Sequence, residues 1–191
     1  EFEKYGIPHV VYINLIRDPL SRAVSHYYFR RFGDNIRNTT RLKEAPKTQK
    51  MTYDECVLKK DSECVGHWGT FFIIPFFCGY FKECQSPTRK ALQRAKENVD
   101  KYLVVGILEE YDDFIKVLEK LLPNFFQGAY EQSKTPDRSK VPMSVLSSTI
   151  GKQKPSEKVI AISKKNMKLE YEFYDYIKKR FHRLKKSLGI R

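Results

Sequence analysis

The sequence predicts an α/β fold built on a parallel sheet, and three features carry that reading. Two short apolar runs, residues 10–16 and 102–108, are rich in β-branched and aromatic residues and read as buried strands. Each run ends abruptly and gives way to a helical pattern. Further helical pattern fills the interval between them, the usual form of a connection between parallel strands. Two strands do not make a stable sheet, so at least one more is expected upstream.

The elements follow in order. After the first strand, Asp18 is a good helix N-cap, and Pro19 suits the first helical position, where its fixed φ is pre-set and its missing N–H is not needed. A helix is predicted over 21–31, with Ala23, Val24, Tyr27 and Tyr28 on its buried side. Residues 33–49 are polar, basic and aperiodic, and read as a long loop of the kind that often carries function. Thr52-Tyr53-Asp54-Glu55 has the capping-box pattern and opens a short helix over 52–60. Residues 71–79 are too dense in aromatics to be surface and read as core packing around the cysteine loops. Residues 87–99 place Ala91, Leu92, Ala95 and Val99 at helical spacing. Behind the second strand comes Glu109-Glu110, then a helix over 112–122 closed by Pro123. Residues 132–154 are polar and punctuated by Pro136, Pro142 and Gly151. From 155 to 188 the pattern is helical, with a break expected at 164–166; Tyr171, Phe173, Tyr174, Ile177 and Phe181 form an aromatic stripe that reads as core.

The chain has 191 residues, enough for one domain with a real core. It begins at Glu1 without Met or a leader pattern and is expected to be a piece of a longer protein. The longest apolar stretch, 71–81, is too short to span a bilayer and contains Pro75 and Gly79, so any membrane anchor is expected outside this chain. Lysine and arginine number 36 against 23 acidic residues, a formal net charge of +13. That excess favours an acidic polymer or surface as partner. Nothing matches a helix-turn-helix, zinc-finger or RNA-recognition pattern, which sets nucleic acid aside.

Four cysteines fall as two close pairs, Cys56 with Cys64 and Cys78 with Cys84. There is no Cys-x-x-Cys and no local histidine at zinc spacing, so no metal site is expected. Three pairings are open. The sequential one closes two small loops and would imply an oxidising compartment; four reduced, buried thiols are the rival reading. Asn38-Thr39-Thr40 is a glycosylation sequon in a polar stretch.

The most informative segment joins the first strand to its helix. Arg17 stands at the carboxyl end of a strand beside the N–H groups of a new helix, where open α/β folds hold phosphates, and Ser25 follows about two turns on. The ordered string Arg17-Asp18-Pro19, Arg22, Ser25, Tyr27-Tyr28-Phe29 and Arg31-Phe32-Gly33-Asp34 resembles the 3′-phosphate-binding segment of the Golgi heparan sulfate and uronyl 2-O-sulfotransferases, including their Pipe-type relatives. The resemblance continues through Asp54-Glu55-Cys56, Ile74-Pro75-Phe76-Phe77-Cys78-Gly79, residues 103–110, Leu122-Pro123-Asn124-Phe125-Phe126-Gln127-Gly128 and Glu170-Tyr171-Glu172-Phe173-Tyr174.

What this resemblance implies is specific. The fold would be a P-loop-NTPase-like sulfotransferase fold, a central parallel sheet flanked by helices, here truncated at its amino end within one sulfotransferase domain. The sulfate donor would be 3′-phosphoadenosine 5′-phosphosulfate, with no metal, and the acceptor the 2-hydroxyl of a uronic acid in an acidic polysaccharide or related glycan. Arg17 and Ser25 would bind the donor's 3′-phosphate, with Ser139, Thr149 and Lys152 from a late loop completing the site across an apparent insertion at 140–145. Arg37 and Arg41, with Arg31 and Lys43, would meet the acidic sugar. His26 stands where the family often has tyrosine and reads as a substituted wall residue of the substrate site rather than as a base. The family's paired cysteines favour the sequential disulfides. The donor's phosphosulfate loop and the general-base histidine lie upstream of the first strand in that family, and neither motif occurs here. The catalytic groups are therefore expected outside this chain, which by itself would be inactive. The implied setting is the Golgi lumen, as part of a type II membrane protein, possibly trimeric as related enzymes can be. A catalytically silent glycan-binding protein of the same fold is the alternative.

Overall fold

The structure, a computed structural model, describes residues 2–6, 10–33, 51–134 and 148–190, less the side chains of Phe2, Glu3 and Trp68. Its two strands, β1 (Ile13–Ile16) and β2 (Val104–Ile107), run parallel, with Ile13 opposite Val104 and Ile16 opposite Ile107. Leu103 N–H donates to the Tyr12 carbonyl at 2.9 Å and extends the pairing by one step. Both strands are shorter than their apolar runs, because a ladder ends where its partner does. Among the described residues the sheet has these two strands alone, and the third strand expected upstream lies outside them.

Between the strands run α1 (Pro19–Phe32), α2 (Tyr53–Leu58), α3 (Ser62–Val65), α4 (His67–Thr70), α5 (Ile73–Cys78) and α6 (Arg89–Val99). After β2 come α7 (Tyr111–Leu121), α8 (Pro123–Phe126), α9 (Ala129–Lys134), α10 (Glu157–Asn166) and α11 (Lys168–Ser187). The break expected at 164–166 falls at Met167. Residues 71–79, expected as core packing around the cysteine loops, are that: Phe71, Ile73, Ile74, Phe77 and Cys78 are buried, and Ile73–Cys78 form α5. Its N-cap Phe72 offers no side-chain acceptor, and the missing cap comes from far along the chain. Ile73 and Ile74 N–H donate to the Glu170 carboxylate at 2.8 and 3.0 Å.

The interior has two parts. One gathers the sheet with α5, α6, α7 and α11, around Val104, Val105, Ile107, Phe77, Phe173 and Ile177. Gly106 is required there: a Cβ would lie 2.2 Å from the Phe114 ring, so α7 seats directly on the strand. The other part packs α1 against α2 and α10 around Val24, Tyr27, Tyr28, Tyr53 and Val159. Both sequential disulfides are present. Cys56–Cys64 joins α2 to α3 with Cα atoms 6.0 Å apart, and Cys78–Cys84 joins the end of α5 to a 3₁₀ turn with Cα atoms 5.5 Å apart.

Arg31 lies inside the second part, its side chain fully buried. It grips Glu63 with two bonds, 2.8 and 2.7 Å, donates to the Tyr27 carbonyl, and stacks 3.5 Å over the Tyr27 ring. This fork fastens α1 to the disulfide-closed loop. Removing one partner of such a pair strands a charge at the wall. Arg31→Met is expected to lower the unfolding free energy by about 3 kcal/mol, read from urea midpoints, and Arg31→Met/Glu63→Leu to recover most of it.

Glu170 gives a second expectation. Burial pushes its carboxyl up to about 7 from an ordinary 4.5, against the pull of the backbone N–H groups it accepts. A raised folded value means that the native state holds the proton more tightly than the unfolded chain. The contribution is therefore fully present below about pH 4.5 and is lost as pH rises through about 7. Its size is roughly 3 kcal/mol. Relative to Glu170→Gln, the wild-type urea midpoint is expected to fall across that window; parallel profiles would refute it.

Candidate functional site

The site is built where β1 hands over to α1. Ile16 ends the strand inside the core, and Arg17, the next residue, emerges half-buried at its carboxyl end. Asp18 caps the helix: its Oδ1 accepts from Ser21 N–H at 2.8 Å and its carbonyl from Arg22 N–H at 2.9 Å. Pro19 has no N–H, and Leu20 N–H donates to the Tyr171 hydroxyl. Every N–H of the first turn is thus satisfied within the protein. The expectation that these groups would hold an anion is corrected on that ground. What this corner offers to an anion is therefore its side chains.

Those side chains converge. Ser25 Oγ is 3.0 Å from Thr149 Oγ1, which ties α1 to the segment leading into α10. Ile150 N–H donates to the Gly33 carbonyl at 3.1 Å and secures the same segment at the far end of α1. Gly151 sits at φ +67° against Phe32 and turns the chain toward Lys152. Partial burial and then the positive charge of Arg17 hold the Lys152 ammonium below its ordinary value. Neither cation has a carboxylate within salt-bridge range among the described residues. Two uncompensated cations beside two hydroxyls are suited to a phosphate, which relieves their repulsion and accepts from both kinds of donor.

The turn that carries Arg17 is held by residues that the sequence reading assigned to other work. Asp18 N–H donates to Glu109 Oε1 at 2.9 Å, joining the ends of the two strands. The Tyr171 hydroxyl donates to Asp18 Oδ2 at 3.0 Å, and the Tyr174 hydroxyl to Glu109 Oε2 at 3.0 Å. Burial and the adjacent carboxylates push both phenols far above their ordinary values, so they remain donors. The aromatic stripe of α11 is core for Phe173, Ile177 and Phe181, as its spacing predicts. Its two tyrosines, three residues apart, were the available signal that a polar contact lay at one end.

Two cavities flank this corner. One of about 300 Å³ runs along β1, lined by Asn14, Arg17, Arg22, Phe72, Phe76 and Leu108 among others. The second, about 420 Å³, lies between α1 and the first disulfide loop. His26 lines this second cavity, with its ring 6.1 Å from Phe72. Arg31, expected to meet an acidic sugar, is corrected: it is buried on Glu63, with no side-chain surface left for a ligand. Its neighbour Arg30 is the one that faces the cavity, with 58% of its side chain exposed. Ser139, Arg37, Arg41, Lys43 and the sequon at Asn38 lie outside the described residues.

Comparison with known proteins adds a family. Residues 3–177 match the model of the sulfotransferase family. Uronyl 2-sulfotransferase of Mus musculus is 40% identical over 195 residues, covering 100% of this chain and 47% of that protein. Heparan sulfate 2-O-sulfotransferase 1 of Gallus gallus is 40% identical over 186 residues, covering 95% of this chain and 50% of that protein, and the Homo sapiens protein of that name is equally similar. The chain spans about half the length of the curated relatives it matches. With parallel strands, flanking helices and a family match over nearly its whole length, the chain belongs to the sulfotransferase family.

Proposed function

We propose that this chain supplies the ribose-phosphate side of the donor site, and part of the acceptor groove, of an enzyme that moves a sulfuryl group from 3′-phosphoadenosine 5′-phosphosulfate to the 2-hydroxyl of a uronic acid in a glycosaminoglycan. The observation that supports the reading is a pair of contacts that bring one late segment to α1 and the end of β1: Thr149 with Ser25, and Lys152 within electrostatic reach of Arg17. The similarity to uronyl and heparan sulfate 2-O-sulfotransferases supports the acceptor class.

In this reading Arg17 and Lys152 neutralise the 3′-phosphate, while Ser25 and Thr149 donate to it once the hydrogen bond between them opens. The planar guanidinium spans two phosphate oxygens and fixes the direction of the nucleotide. Anchored there, the donor presents its sulfate to the acceptor oxygen in line with the leaving phosphate, and positioning of this kind lowers the barrier. Groups of the complete protein outside this chain take the acceptor proton and steady the charge growing on the leaving oxygen. Arg37, Arg41 and Lys43, with the wall residue His26, serve the acidic acceptor, and Ser139 the donor. No helix among the described residues is long and apolar enough to cross a membrane. The lumenal, Golgi-resident setting, an anchor outside this chain and a trimeric assembly are further parts of the proposal.

The test is a sulfation assay of the complete protein with radiolabelled donor and defined heparan, dermatan and chondroitin chains, followed by disaccharide analysis. Label on the 2-oxygen of a uronic acid is the expected result. Label on the amino sugar alone, or binding without transfer, would overturn it. In the same protein Arg17→Ala is expected to weaken donor binding by about 1.5–3 kcal/mol, roughly tenfold to over a hundredfold, with the acceptor KM unchanged. Ser25→Ala, which removes one neutral donor, is expected to cost about 1 kcal/mol.

A further inference from the structure

The cavity between α1 and the first disulfide loop is a built feature that the donor site does not use. Its outer wall is α3 and α4, closed covalently by the buried Cys56–Cys64 bridge. Gly66 and Gly69 let these short helices pack without side chains between them: a Cβ at either would come within 2.4 Å of a carbonyl oxygen of Ser62 or Glu63. The inner wall is one face of α1, where Ala23, His26, Tyr27 and Arg30 line the hollow, while Arg22, one turn before His26, lines the cavity along β1. Phe72 lines this cavity and the one along β1 alike, with the Arg22 guanidinium 5.9 Å and the His26 ring 6.1 Å from its centre. The two hollows therefore adjoin across a single aromatic ring.

The charge of the cavity is set by a mismatch. Glu63 is its carboxylate, and Arg31 already binds both of its oxygens. Arg30 approaches the same carboxylate only to 3.9 Å and keeps most of its surface. One carboxylate shared by two guanidinium groups leaves a net positive charge facing the hollow. Partial burial, then Arg30 and Arg22, hold the His26 imidazole below its ordinary value while Glu63 opposes them. A neutral imidazole there can both donate and accept.

We propose that this cavity is a second acceptor subsite, which takes an acidic sugar residue of the same chain beyond the disaccharide that contains the reacting one, with Arg30 on its carboxylate or sulfate and Phe72 against its apolar face. The proposal rests on the glycan-sulfation reading above. A volume of about 420 Å³ lies in the range of small-ligand sites, and an aromatic wall with a few placed polar groups is their usual lining. A polymer whose reacting unit lies by the donor corner reaches the second hollow by passing Phe72, so the two sites read separate residues of one chain.

The experiment compares a disaccharide and a hexasaccharide of alternating uronic acid and glucosamine as acceptors for the complete protein. Arg30→Ala is expected to raise the hexasaccharide KM roughly tenfold, the loss of a charge-assisted hydrogen bond, and to leave the disaccharide KM and the donor KM unchanged. Ser62→Tyr, which adds bulk at an exposed lining position, is expected to produce the same length-dependent defect without removing charge. An unchanged hexasaccharide KM in both variants, or an equal rise for both acceptors, overturns the proposal. Equilibrium binding of the same two oligosaccharides separates the two readings. If the wild type transfers no sulfate, the enzymatic reading fails, while a hexasaccharide-specific loss of binding in Arg30→Ala still supports the subsite and its absence overturns it.

Discussion

The contact on which the site depends is the bond from the Asp18 amide to the Glu109 carboxylate. It joins the residue after β1's exit to the residue after β2's, so the two parallel strands end in register at one corner. Asp18 then has four tasks: its amide meets Glu109, its carbonyl and one carboxylate oxygen close the first turn of α1, and its other oxygen holds Tyr171. With the residue beside it fixed at so many points, Arg17 leaves the strand in one direction. In the donor-binding role proposed above, such support is a gain, because little side-chain freedom remains to be lost when the ligand arrives. The two tyrosines of α11 extend the support into the core, through a helix whose apolar positions are packed against β2 and α5.

Much of the local structure was legible in the sequence because local chemistry determines it. Asp18 before Pro19 marks the start of α1, and Thr52 with Glu55 makes the capping box that opens α2. The spacing of Ala91, Leu92, Ala95 and Val99 gives the buried face of α6. What local pattern could not reveal is the work done across long separations. Glu170 reads as a charge beside an aromatic stripe, yet it caps α5 from the far end of the chain. Glu109 reads as part of an acidic pair following the second strand, yet it holds the amide of Asp18.

Arg31 is the instructive error. It lies four residues after Tyr27 and seven after Val24, both assigned to the buried face of the same helix, so its own periodicity placed it inside. The run of cations in the motif suggested a ligand contact and outweighed that geometry. A guanidinium in the interior needed an acid, and Glu63, on the loop between the first two cysteines, supplied it. The exposed partner of the Arg30-Arg31 pair is the first of the two, which a strict reading of helical phase would have selected. The opposite error concerned the start of α1, where free N–H groups were expected and the protein's own hydroxyl and carboxylate occupy them.

The bridge between Cys56 and Cys64 acquires a meaning beyond the stapling of two helices. The segment it closes carries Glu63, and Glu63 is the anchor of the arginine that holds α1 in place. The disulfide closes covalently the same segment whose Asp61 cap and Arg31 fork hold that counter-charge in place. Two buried sulfur atoms, an ion pair and the buried face of α1 thus form one continuous tether.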